Sequence, residues 1–138
     1  MINEDENLKK YAYKLRKYTT KKYSLIDKIY CPALKENIFF SSIGLRHLRY
    51  KPDGTSRNLR EIIYKMKLFP CVVGVVMKSK KITGVRKTHI QYSRGNLYKK
   101  KPATTYSIVD TVKDVSIRVI LIRIGNGRCR FYSVMKDK

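Results

Sequence analysis

The chain has 138 residues, with 32 Lys and Arg against 10 Asp and Glu, a formal net charge of +22, and 43% hydrophobic residues. That hydrophobic share excludes a disordered basic tail, and the length suits one domain, 1–138, with a core large enough to fold alone. Self-repulsion of this size destabilises a compact fold, so a polyanionic partner is expected. Nucleic acid fits, because each neutralised phosphate releases counterions.

The pattern over residues 4–18 predicts an amphipathic helix, with Leu8, Tyr11, Leu15 and Tyr18 on one face and Lys10, Lys14, Lys17 and Lys21 on the other. The apolar cluster Leu25, Ile26, Ile29 and Tyr30 extends this helical segment to residue 31, where Cys31-Pro32 breaks it. Ile38, Phe39 and Phe40 read as a short strand, followed by a short helix that Ser41 or Ser42 caps. Lys51-Pro52-Asp53-Gly54 is a turn, since proline presets φ and glycine supplies a positive one. Asn58, with Glu61 three positions on, marks a helix start. Leu59, Ile62, Ile63 and Met66 form the apolar face of that helix, and Pro70 limits it.

The β-branched run at residues 71–77 reads as a buried strand, with a buried helical turn as the alternative. Residues 78–101 are the most cationic stretch, with one strand over residues 83–92 and exposed loop elsewhere. Three strands follow, at residues 104–112, 115–124 and 128–135. A turn with Asn126-Gly127 at its centre makes the last two a hairpin in which Ile124 faces Cys129, Ile122 faces Phe131, Ile120 faces Ser133 and Arg118 faces Met135. A three-residue turn would instead set Arg118 opposite Val134. The expected fold class is α+β, with N-terminal helices packed on a C-terminal antiparallel meander.

Charge runs through the chain: from residue 62 to residue 109 there is no acidic residue and there are eleven Lys or Arg. Cys31, Cys71 and Cys129 are widely spaced and, without a CxxC, argue against structural zinc. They read as buried small hydrophobes in a reducing compartment. The acidic and then amphipathic start is unlike a secretory signal, and no apolar run is long enough to span a bilayer. A soluble, cytoplasmic protein without a membrane partner is expected.

The carboxylates are too scattered for two-metal phosphodiester chemistry, and no phosphate-binding glycine loop or nucleophile elbow is present. No metal or other cofactor is therefore expected. Metal-independent RNA cleavage needs a base, an acid and cations on the phosphate. His47 lies among Arg46, Arg49 and Lys51, whose charges favour a neutral imidazole able to act as base. The alternative is a histidine at the rim of the core. His89 is a second candidate, or else a plain strand-surface residue. In the predicted hairpin Arg118 and Ser133 share one face as diagonal neighbours, a geometry suited to phosphate. Arg123, Arg130 and Tyr132 take the opposite face.

Residues 39–47 and 117–135, within a helices-first order ending in a meander, resemble the barnase/EndoU/colicin/RelE-like superfamily of small RNases, many of them toxins. The resemblance implies a metal-independent endoribonuclease acting on RNA such as tRNA or mRNA by 2′-hydroxyl attack. It also implies an acidic antitoxin or immunity partner. By it, Ser133 is a phosphate contact, Arg118 a transition-state cation and His47 the base. Arg46, Arg49, Lys51, His89, Arg94, Arg123, Arg130 and Tyr132 are the expected RNA-binding residues. The alternative is a non-catalytic RNA- or ribosome-binding protein using the same charge.

Overall fold

The structure, a computed structural model, describes residues 4–94 and 97–137, with side chains placed for residues 5–91 and 99–137. The fold is α+β: helices α1 (Glu4–Ser24), α2 (Ser42–His47), α3 (Leu59–Leu68) and α4 (Val72–Lys78) accompany a six-stranded sheet. Its strands are β1 (Lys28–Cys31), β2 (Glu36–Phe39), β3 (Gly84–Arg94), β4 (Leu97–Val112), β5 (Val115–Ile124) and β6 (Cys129–Lys136), in the order β1-β2-β6-β5-β4-β3. Strands β3 to β6 form the expected antiparallel meander, but the sheet is mixed, because the β1–β2 hairpin adds β2 parallel to β6.

Helix α1 ends at Ser24, short of the expected helical segment to residue 31, and its buried face is rotated. Ala12, Thr19 and Tyr23 are buried, with Leu8 and Leu15 partly so, whereas Tyr11 and Tyr18 are 44% and 55% exposed. Those two rings lie under lysines instead, Lys67 5.6 Å from Tyr11 and Lys22 5.5 Å from Tyr18. A tyrosine can cover a wet surface with a cation above it, and α1 packs against α3. Helical structure stops at Ser24, and Ile29 continues not as helix but in β1, opposite Ile38 of β2.

The run at residues 71–77 is helical rather than extended. Pro70 opens a 3₁₀ turn, Phe69–Cys71, at a position where its missing N–H costs nothing. Val72, Val75 and Val76 then fall on one side of α4, fully buried against β1, β4 and β5. Three- and four-residue spacing provides one buried stripe, and tertiary packing overrides the β preference of valine. The core is completed by an aromatic group: the Phe131 ring is stacked 5.4 Å from Phe40, and Tyr23 lies 5.3 Å from Phe69. The Tyr23 hydroxyl donates to the Ser41 carbonyl, and burial raises its pKa above the usual tyrosine value.

In the β5–β6 hairpin residues 125–128 connect the strands, and a bulge follows. Gly125 has φ 57, the Gly127 N–H donates to the Ile124 carbonyl, and Arg123 pairs with Cys129. The expected pairs Ile124 with Cys129 and Ile122 with Phe131 are therefore replaced by Ile122 with Arg130 and Leu121 with Phe131. Tyr132 is then an extra residue between Phe131 and Ser133, and it restores the predicted register at Ile120 with Ser133 and Arg118 with Met135.

Candidate functional site

The site is built where β6 loses its strand neighbour. β2 touches β6 at one pairing, Phe39 with Arg130, and beyond it the β6 edge is covered by helices. From α3, the Lys65 ammonium donates to the Val134 carbonyl at 2.7 Å, and the Tyr64 hydroxyl accepts the Lys136 N–H at 2.8 Å. Covering an open edge in this way removes a template for pairing with another chain.

Helix α2 reaches the same edge because Gly44 permits it: a Cβ there would stand 2.5 Å from the Phe131 ring. At its last turn His47 stacks on Tyr132, the bulged residue, with ring centroids 4.2 Å apart. The segment after α2 folds back through the predicted turn. Gly54 has φ 89, and the Asp53 carboxylate accepts from Thr55 N–H and hydroxyl, which lowers its pKa. The loop ends with the Arg57 N–H donating to the Arg49 carbonyl. Asn58 then caps α3 by accepting the Glu61 N–H at 2.9 Å, as predicted.

This fold-back sets Arg57 against His47. Arg57 Nε donates to the His47 carbonyl at 3.0 Å, and its Nη2 lies 3.5 Å from His47 Nδ1. A guanidinium can only donate, so Nδ1 is the acceptor and the imidazole proton sits on Nε2. Nε2 is buried and has no hydrogen-bond partner among the described residues. Burial first, then the charges of Arg57 and Lys65, push the His47 pKa down to about 4. The ring is therefore neutral at physiological pH, as its sequence neighbours suggested, but the responsible cations are Arg57 and Lys65 rather than Arg46, Arg49 and Lys51.

Lys65 is 8% exposed, and besides Val134 it donates to Ser133 Oγ at 3.1 Å. Burial and the nearby Arg57 lower its pKa to about 8. Burial also raises the pKa of Tyr132, and Arg57 partly offsets this. His47, Arg57, Lys65, Tyr132 and Ser133 thus form one cluster. Arg57 and Lys65 are the members that sequence reasoning missed. The signal for Lys65 was its spacing, three residues from both Ile62 and Leu68 of the apolar face.

Arg118 is not in the cluster. It and Ser133 do occupy the predicted diagonal positions, but their side chains have separate partners. The Asp137 N–H donates to the Ser116 carbonyl, which extends the ladder and brings the Asp137 carboxylate to Arg118 at 2.6 and 2.9 Å. Arg123 is likewise engaged, with Nη2 2.6 Å from both Glu36 oxygens and Nη1 donating to the Gly127 carbonyl, and its pKa is raised by Glu36. It lines an open concavity of about 450 Å³ with Phe39 and Arg128.

Arg46 and Arg49 both lie over the Tyr50 ring, at 5.8 and 5.4 Å, and Lys51 is exposed in the turn. Arg130 is half-buried on β6. His89 is exposed on β3, three strands from β6, so the two histidines do not meet. Arg94 ends β3, and its side chain lies outside the described residues.

The three cysteines are free, with Cys31 and Cys129 buried and the Cys129 thiol pushed up to about 12 by burial. Among the described residues no three His, Cys, Asp or Glu side chains converge as a metal site, and no helix is long and apolar enough to cross a membrane. No family model, curated protein or solved structure matches the chain.

Proposed function

We propose that this protein binds RNA through its cationic surface without cleaving it. The observation that carries this reading is the charge imbalance: three ion pairs, Arg57 with Glu61, Arg118 with Asp137 and Arg123 with Glu36, stand against 32 Lys and Arg, and the stretch from residue 62 to residue 109 has eleven Lys or Arg and no acidic residue. Charge left exposed on this scale is offset by a phosphate backbone and its counterion release. Binding is favoured over cleavage because the groups cleavage would use are occupied. His47 Nε2 is covered, Ser133 accepts from Lys65, and Arg118 is held by Asp137.

A second reading, a metal-independent endoribonuclease of the barnase/EndoU/colicin/RelE-like type, is favoured by the cluster itself. A neutral imidazole, a lysine, an arginine and a phenol beside one strand edge are the parts of acid–base phosphodiester chemistry. In that reading an acidic protein partner would cover the same cations. One experiment separates the two: total tRNA and ribosomal RNA incubated with the protein in excess EDTA, beside His47→Ala. Intact RNA that shifts on a native gel is the expected result. Discrete cleavage lost in His47→Ala would establish the second reading, and RNA neither shifted nor cut would overturn both.

A further inference from the structure

Helix α1 carries a pattern that its packing does not use. From residue 7 to residue 24 it has seven Lys or Arg and no acidic residue. Its packed side is taken by Ala12, Thr19 and Tyr23, with Leu8 and Leu15 partly buried. On the exposed side Tyr11, Lys14, Tyr18 and Lys21 follow one another at three- and four-residue spacing, which sets them on one face. Phenol and ammonium alternate along it, and each kind recurs after two turns, about 10.5 Å. Tyr11 and Tyr18 are 44% and 55% exposed, and Lys10 and Lys17 are exposed alongside.

The two halves of this stripe fit different parts of a nucleotide chain. Exposed lysines suit phosphates, and an exposed phenol ring offers a flat face to a base. Cations stand over both rings, Lys67 5.6 Å from Tyr11 and Lys22 5.5 Å from Tyr18. An exposed cation–ring contact is weaker than a stacked base, so a base displaces the ammonium and leaves it free to meet a phosphate. Unpaired bases can stack on tyrosine, whereas a duplex keeps its base faces covered. A bilayer is a poorer match, since interfacial binding needs an apolar stripe, and Leu8, Ala12 and Leu15 lie on the packed side. An acidic polypeptide matches the lysines alone.

Resting on the RNA-binding reading, we infer that the outward face of α1 binds single-stranded RNA, with Tyr11 and Tyr18 stacking on unpaired bases and Lys14 and Lys21 contacting phosphates of the same strand. The protein therefore prefers unpaired RNA to duplex, and the cations of β3 and β4 contribute nothing to that preference.

The test titrates the protein with a CA-repeat RNA, which cannot pair with itself, and with a blunt RNA duplex, across a salt series. Tyr11→Leu/Tyr18→Leu is expected to lose about tenfold or more on the CA-repeat RNA with an unchanged salt slope, because it removes stacking and no charge. Tyr11→Phe/Tyr18→Phe keeps the rings and should stay within about twofold of wild type. Lys14→Gln/Lys21→Gln keeps helix preference and should flatten the salt slope by about 1.4, twice the single-strand value per phosphate. Arg86→Thr/Lys87→Thr/Lys99→Thr/Lys100→Thr on β3 and β4 should weaken both RNAs alike. A Leu variant that binds as tightly as the Phe variant, a duplex bound as tightly as the CA-repeat RNA, or a preference lost in the strand variant overturns the α1 assignment and leaves RNA binding intact. Polyglutamate or phosphatidylserine vesicles that displace the CA-repeat RNA better than unlabelled RNA does give the face to an acidic protein or a membrane and also overturn it. A wild type that binds neither RNA overturns the reading beneath it. Lysine acetylation of the wild-type complex serves if a variant misfolds: CA-repeat RNA should protect Lys14 and Lys21 more than Lys87 and Lys100, and the reverse order overturns the assignment.

Discussion

The Lys65 ammonium stands 3.1 Å from Ser133 Oγ and 2.7 Å from the Val134 carbonyl, so one buried cation from α3 holds the β6 edge that β2 leaves unpaired. Two effects oppose each other here. Burial penalises the charge, as the lowered pKa of Lys65 records, while a buried carbonyl and hydroxyl left without a donor would each cost about 1–3 kcal/mol. The second effect wins, because two acceptors depend on one donor. Lys65→Met should destabilise the fold by about 2 kcal/mol, and Ser133→Ala by less than about 1 kcal/mol, since Val134 keeps its partner. Urea midpoints of the two variants check the order, and an equal or reversed cost would contradict it.

His47 gives a pH dependence with a definite sign. Its folded pKa of about 4 lies below the unfolded value of 6.5, so between them the unfolded chain binds more protons. Stability contributed by this group is therefore fully present above pH 6.5 and falls as pH drops toward 4. Discounted for the part of the ring that water reaches, the loss is on the order of 1–2 kcal/mol. The difference in unfolding free energy between wild type and His47→Leu should shift by that amount from pH 6.5 to pH 4. No change in the difference would mean that His47 titrates normally.

Gly44 should tolerate no side chain. A Cβ would meet the Phe131 ring at 2.5 Å and the Phe131 carbonyl and Tyr23 hydroxyl at 2.6 Å, and the carbonyl is strand backbone that cannot move aside cheaply. Gly44→Ala is expected to lower stability by about 1–3 kcal/mol, the usual cost of overpacking. It should also disturb the Tyr132–His47 stack that α2 presents. Thermal unfolding and tyrosine near-UV circular dichroism report the two effects.

The Arg123–Glu36 pair joins β5 to β2 across β6, beside the single β2–β6 pairing. Its side chains are 25% and 34% exposed, so water screens it. A double-mutant cycle with Arg123→Met and Glu36→Gln should give a coupling of about 0.5–1 kcal/mol that shrinks in high salt. A coupling near zero would assign the joint to backbone pairing and packing alone.

Features governed by neighbouring residues were legible in the chain. The Asn58 cap, the Lys51–Gly54 turn and the three final strands depend on side chains a few positions apart, and all are present. The charge imbalance is a sum over residues and needs no fold at all. Other features depended on which surface covers which. Valines that favour strands became α4 because a helix could bury three of them at once. On α1 the buried face went to Ala12, Thr19 and Tyr23 and not to Tyr11 and Tyr18. Lys65 became buried because an unpaired edge needed a donor. The bulge at Tyr132 cancelled a one-residue difference in the turn, and the lysine-rich segment became a ribbon because two of its halves pair. Each of those outcomes is set by contacts between residues far apart in sequence, whose proximity is created only by the folded chain.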